Sequence, residues 1–173
     1  MVEAGRDPDS CKILFIVSPV LGETTADARA KNDRVLAGMK ADISSNLAGM
    51  SYASGVDFST FDLDAPFPDL TNTNATRSSM AMMTANSAGM TLRQAAEADP
   101  RRSVELIGTP DAVAAQMGEI VEEIGGDGFL ISGNVNRRYI AEITEGLVPE
   151  LRKRGLVRDG YTHEQFRDNL LEF

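Results

Sequence analysis

Few residues in this chain are of types and at spacings that do chemistry. The single histidine, His163, and the single cysteine, Cys11, lie near opposite ends of the sequence. A metal site needs His, Cys or carboxylates gathered at ligand spacing, so only carboxylates remain to build one. Asp57, Asp62, Asp64 and Asp69 are close enough in sequence to surround a hard cation. Acids scattered through a loop are ordinarily just solvated, however. No Ser-His-Asp triad can be drawn around a lone histidine in the C-terminal tail, and His163 reads as a surface residue. Gly125-Gly126-Asp127-Gly128 has the glycine content of a phosphate cradle. Such a cradle follows a strand and opens a helix, whereas this one precedes a strand. It is no nucleotide fingerprint.

The bulk properties narrow the choice of partner. The chain has 173 residues, 42% apolar and 25% charged, a globular make-up long enough to bury a core. Its formal net charge is −9, and an acidic surface repels phosphate backbones. The one dense basic cluster, Arg152-Lys153-Arg154, falls at the end of a predicted helix, where it complements the helix dipole. Nucleic acid is therefore not the expected partner. The longest apolar run, Ile13 to Val17, is far shorter than the roughly 20 residues a bilayer-crossing helix needs, so no membrane partner is expected. The residues before that run carry Glu3, Asp7 and Asp9 against Arg6 and Lys12, which is not the basic start of a secretory signal. A single cysteine suits a reducing compartment, and the cytoplasm is the expected location.

The elements that must position any site follow from periodicity. Residues 1–10 read as a loop. Lys12 to Val17 is continuously apolar and rich in β-branched residues, the pattern of a parallel strand covered on both faces; Ser18-Pro19 ends it. Thr24 or Thr25 caps a helix with Asp27 in its first turn and a stripe of Ala28, Val35, Leu36 and Met39. A second short helix carries Ile43, Leu47 and Met50 before Gly55. Residues 56–79 alternate apolar and acidic residues, are broken by Pro66 and Pro68, and continue through the polar Asn72, Asn74 and Thr76. A stretch of that length inside a compact domain is an insertion with a task, such as a lid, or is partly disordered. Met80, Met82, Met83 and Met90 surround a small helix, as gap-filling core rather than a cofactor box.

Thr91-Leu92-Arg93-Gln94 is a capping box opening a helix through Ala98, and Val104 to Gly108 is a brief extended segment. Thr109-Pro110-Asp111 then begins a helix whose apolar face is Val113, Met117, Ile120, Val121 and Ile124, ended by Gly125-Gly126. Gly128 to Ser132 is the second buried strand. Asn136 to Gly146 is helical; Pro149 interrupts or restarts it, and Gly155 stops the piece that follows. The tail ends in Leu170-Leu171-Glu172-Phe173, apolar enough to dock on something.

Strands alternating with helices imply an α/β fold with a parallel sheet. Only two strands are convincing, and a parallel sheet that small leaves edges and faces bare. The missing neighbours are expected from an N-terminal portion, from a second copy of the chain, or from another polypeptide. The loop directly before the first strand favours an N-terminal portion.

Several segments, in order, resemble one family. They are Ala4-Gly5-Arg6-Asp7-Pro8-Asp9 before Lys12-Ile13-Leu14, and Ser18-Pro19-Val20-Leu21-Gly22-Glu23-Thr24. Then come Asp62-Leu63-Asp64-Ala65-Pro66-Phe67-Pro68, Val104-Glu105-Leu106-Ile107-Gly108-Thr109-Pro110, Asp127-Gly128-Phe129, and Leu147-Val148-Pro149-Glu150-Leu151 through Leu156. Together they are similar to the late part of the bacterial-luciferase-like flavin-dependent monooxygenases, in the group of nitrilotriacetate monooxygenase component A and dibenzothiophene-sulfone monooxygenase. The resemblance implies the C-terminal portion of a (β/α)8 TIM barrel. Residues 12–39 would form its seventh β/α unit, 40–103 an insertion covering the active site, 104–155 the last helix-strand-helix, and 156–173 the tail. It implies reduced FMN, delivered by a separate flavin reductase, which with O2 oxygenates a small organic substrate. Barrel sites are built where several strands end, so this chain contributes one part of the wall. Its cofactor- or substrate-facing candidates are Ser18 after the first strand and Ser132 and Asn134 after the second; ordinary turn chemistry also favours Ser and Asn there. No segment matches the family's phosphate-gripping stretch or its catalytic His and Tyr, so the chain alone is expected to bind FMN weakly or not at all. A non-catalytic module that pairs through exposed barrel edges, with a partner or a second copy, is the alternative.

Overall fold

A computed structural model describes residues 2–5, 7, 11–70, 75–98, 104–133 and 136–172. The chain is α/β. Its contacts divide it into two units, Met1–Asn32 with Arg101–Phe173, and Asp33–Pro100.

In the first unit, β1 (Leu14–Val17) pairs in parallel with β4 (Gly128–Ile131), Leu14 facing Gly128 and Val17 facing Ile131. Parallel pairing requires a crossover between the two strands, and here everything from residue 18 to residue 127 lies between them. A second parallel pair joins β2 (Val20–Leu21) to β3 (Ile107–Gly108). The sequence reading ended its strand at Ser18-Pro19 and missed β2, because two residues after a proline carry no periodicity. Residues 18 and 19 are a short break, after which the chain pairs again, Val20 N–H donating to Leu106 C=O at 2.8 Å.

Helix α5 (Pro110–Ile124) starts as its sequence dictates: the Thr109 hydroxyl accepts the Ala112 N–H, and Pro110 takes the first turn. Its buried face, Val113, Ala114 and Met117, packs with Val17, Leu21, Leu106, Leu147 and Leu151. At Gly126, φ is +97° and a Cβ would lie 2.6 Å from the Phe15 ring, so only glycine turns the chain here under that ring.

The next helix does not break at Pro149. It runs as α6 (Arg137–Ala141), a π-helical turn at Glu142–Leu147, and α7 (Val148–Lys153). Proline offers no N–H and its ring crowds the preceding turn; a widened turn just before it accommodates both while keeping Leu147 and Leu151 in the core. At the end of α7, Lys153 pairs with Glu150, and Arg154 with Glu150 and with Asp111 at the start of α5. In the tail, α8 (Phe166–Leu171) is tied back by buried Asn169, which accepts from His163 N–H and donates to the carbonyls of His163 and Gln165. Phe166 and Leu170 are exposed, so docking of the tail is not seen for these residues; Phe173 lies outside the described residues.

The second unit holds the rest of α1 (Thr25–Ala41), which begins in the first unit under a Thr24 cap. It also holds α2 (Ile43–Ser54), α3 (Arg77–Asn86) and α4 (Leu92–Glu97). Gly55 ends α2 at φ +70°, and Thr91 and Gln94 form both halves of the capping box. The core is Phe58, Leu70, Met80 and Leu92, with Met50, Phe67 and Met83 packed against it, whereas Met82 is exposed. The tract read as irregular contains a 3-10 turn at Phe58–Thr60, and Pro66 bridges to Thr91. Asn72 and Asn74 lie outside the described residues.

Candidate functional site

The β1–β4 pair sets the geometry. Side chains alternate across a strand, and the register puts Phe15, Val17, Phe129 and Ile131 on one face and Leu14, Ile16 and Leu130 on the other. The first face is covered except at its end: Val17 is 1% exposed and Phe129 packs on the core that α5 and α7 contribute, while Ile131, the last residue of β4, is 39% exposed. The second face is bare. Ile16 is 62% exposed and Leu130 49%. The apolar run suited to cover on both faces is thus left with one face bare, as expected of a parallel pair whose neighbours lie outside the described residues.

Both strands end at the same level. The Ser132 N–H donates to Val17 C=O at 2.8 Å, which sets Ser132 next to the β1 exit where Ser18 stands. Ser18 is half-buried and Ser132 exposed. Two of the three sequence candidates are thus brought to one rim. The third, Asn134, lies outside the described residues.

Sequence reasoning missed Tyr139. From the first turns of α6 its hydroxyl donates to Ser132 C=O at 2.8 Å, and its ring lies over Gly133, where a Cβ would come within 2.6 Å of it. The Asn136 side chain caps α6 by accepting the Tyr139 N–H at 3.0 Å. Burial first, and the Glu142 charge second, push the Tyr139 phenol above its ordinary range, so it stays a donor. The available signal was an asparagine cap three residues before a tyrosine, with a glycine at the strand exit.

Beside Tyr139, Glu142 takes an ion pair from Lys31 of α1 and another from Arg138 at 3.1 Å. Burial pushes the Glu142 carboxyl up, but hydrogen bonds and charge from Lys31 and Arg138 outweigh it and hold the group below the usual range. Lys31 also reaches Leu21 C=O at 3.3 Å. Lys31 and Arg138 are therefore both engaged with an acid.

Other candidates resolve into structure. Asp57 caps its own turn through Ser59, Asp62 accepts Asp64 N–H, and Asp64 holds Arg93 by two bonds. Among the described residues no three His, Cys, Asp or Glu side chains stand where they could share a metal ion. His163 is half-exposed in the tail, 3.9 Å from Glu172. Gly125-Gly126-Asp127-Gly128 precedes β4, and Asp127 there serves the backbone of β1 rather than a phosphate. A cavity of about 280 Å³ lies on the covered face of β4, lined by Phe129, Ile131, Met117, Ile143, Leu147 and Leu156. Its lining is mostly apolar, with Asp127 the one charged residue, and it lies on the helix side of β4 rather than at the strand-end rim. No described helix is long and apolar enough to cross a membrane.

The rim residues can be tested against a flavin. Ser18 and Ser132 offer neutral hydroxyls, and Ile16 and Leu130 an apolar floor, which fits one side of a planar aromatic ring with polar edges. For the phosphate end, Lys31 and Arg138 are already paired to Glu142, while Arg137 stands exposed at the first position of α6. The set fits part of such a site.

Comparison with known proteins finds relatives considerably longer than this chain. No family model matches the chain. It is 30% identical to dimethyl-sulfide monooxygenase of Hyphomicrobium sulfonivorans, over 97% of this chain and 35% of that protein. It is likewise 30% identical to nitrilotriacetate monooxygenase component A of Aminobacter aminovorans, over 98% of this chain and 38% of the relative. The crystal structure of a riboflavin lyase with modified FMN and substrate riboflavin superposes with a TM-score of 0.78 at 28% identity, covering 98% of this chain and 37% of that one. The chain spans little more than a third of the length of the curated relatives it matches.

Proposed function

We propose that this homologue of the luciferase-like flavin-dependent monooxygenases supplies the C-terminal third of their TIM barrel and one wall of the flavin and substrate pocket. In this reading β1 and β4 are the seventh and eighth strands. Residues 12–39 make the seventh β/α unit, 40–103 the insertion over the pocket, and 104–155 the last helix-strand-helix. Earlier strands, from whatever polypeptide carries them, would cover Leu14, Ile16 and Leu130 and complete the site.

The observation that carries the reading is the one-sided burial of the β1–β4 pair. Barrel strands bury one face under helices and turn the other toward the barrel interior, and here Val17 and Phe129 pack on the helix side while Ile16 and Leu130 on the other are exposed. Active sites of such barrels stand at the C-terminal strand ends, where Ser18, Ser132 and Asn134 fall in sequence. Bound reduced FMN, from a separate flavin reductase, would supply the oxygen-activating chemistry for a small organic substrate. The chain's own part is to orient: Ser18 and Ser132 present hydroxyls at the rim, and Ile16 and Leu130 exclude water from the floor.

Titration of the purified chain with FMN, followed by flavin fluorescence, tests this. Weak binding, seen only at millimolar FMN, is the expected result, because one wall lacks the phosphate grip. Micromolar affinity would mean that these residues already make a whole flavin site, and the partial-barrel reading would fail.

A further inference from the structure

We infer that Tyr139 is a positioning residue for the strand-end rim, clamping the Ser132–Gly133 turn so that Ser132 stays beside Ser18. The inference rests on the flavin-pocket reading above for what the rim does, and on separate geometry for how it is held.

The Ser132 residue is pinned from two sides. Its N–H donates to Val17 C=O at 2.8 Å, and its C=O accepts the Tyr139 hydroxyl at 2.8 Å. The first bond ties it to β1 and the second to α6, so two elements fix one strand exit. The Tyr139 ring covers the next residue, and the space at Gly133 admits no side chain: a Cβ would sit 2.6–2.8 Å from ring carbons and the hydroxyl oxygen. Aim is set from behind. Asn136 caps the helix through the Tyr139 N–H, and Glu142, one turn on, is anchored by Lys31 and Arg138. A phenylalanine would keep the ring contact but lose the bond to Ser132. A turn freed at that bond lets Ser132 move relative to Ser18, at the edge where cofactor or substrate would lie.

The test is amide exchange and FMN titration by NMR on the isotope-labelled chain and its variants Tyr139→Phe and Gly133→Ala. Loss of one well-aligned hydrogen bond should speed exchange of the Ser132 amide about tenfold in Tyr139→Phe, with α5 amides unchanged. Gly133→Ala, which displaces the ring, should loosen the same amide. Millimolar FMN should shift the Ser18, Ser132 and Gly133 amides in the wild-type chain and shift them less in Tyr139→Phe. Unchanged Ser132 exchange in Tyr139→Phe overturns the clamp. No FMN-dependent shift at Ser18 or Ser132 in the wild-type chain, with the clamp intact, overturns instead the flavin reading beneath it.

Discussion

The Asp127 carboxylate accepts the Ile13 N–H at 2.7 Å and pairs with Lys12 at 3.3 Å, so the residue that leads into β4 also holds the start of β1. The bond from Ile13, against some desolvation and with help from Lys12, keeps the carboxyl below its ordinary range. An acid whose folded value is depressed stabilises above its unfolded value and loses that contribution as pH falls through the folded one. Asp127→Ala should therefore speed exchange of the Leu14 and Phe15 amides at neutral pH, by about tenfold for one lost hydrogen bond. The difference from wild type should shrink as the pH is lowered below the carboxylate range.

Lys31 and Glu142 give a second titration. Lys31→Met removes the first of the two cations that hold Glu142 below its usual value. With burial unchanged and only Arg138 left, the Glu142 carboxyl should titrate at higher pH in a carbon-detected NMR experiment. The stability this group contributes would then be lost earlier on acidification. A titration identical to wild type would mean that the Lys31 pair is not formed in solution.

The second unit has its own core around Phe58, which is fully buried and has the rings of Phe61 and Phe67 each 5.9 Å away. Phe58→Ala should cost about 3–5 kcal/mol. The measurement is the opening free energy of α2 and α4 amides by hydrogen exchange. A change well under that range would show that the cluster collapses around the lost ring.

Ile16 is apolar and exposed in the described chain, and the barrel reading assigns its face to other strands. Ile16→Asn should leave the stability of the chain within about 0.5 kcal/mol, as substitutions at uncovered positions do. It should also reduce any self-association of the chain, because an exposed apolar sheet face is what drives it. A large destabilisation would mean that Ile16 is covered by the chain itself.

Much of this was legible because local chemistry is decisive at helix ends. Thr109-Pro110-Asp111, the Thr91–Gln94 box and Gly55 each announce a terminus through groups that satisfy free N–H donors or take a positive φ, and each stands where it was expected. The parallel strands showed as apolar runs, but a run cannot say which face has a partner, and here only one does. Val20–Leu21 is too short to show a period, and the π turn before Pro149 arises from packing that no local pattern encodes. At the rim, Ser18 and Ser132 followed from where strands stop. Tyr139 did not, because its partner is a backbone carbonyl across a turn whose shape the sequence does not display.

In the barrel reading, the face carrying Leu14, Ile16 and Leu130 is the one that other strands cover. Light scattering of the purified chain across a range of concentrations tests it most directly. The mass should rise with concentration as uncovered faces find one another. A constant monomer mass, together with one cooperative unfolding transition, would contradict it.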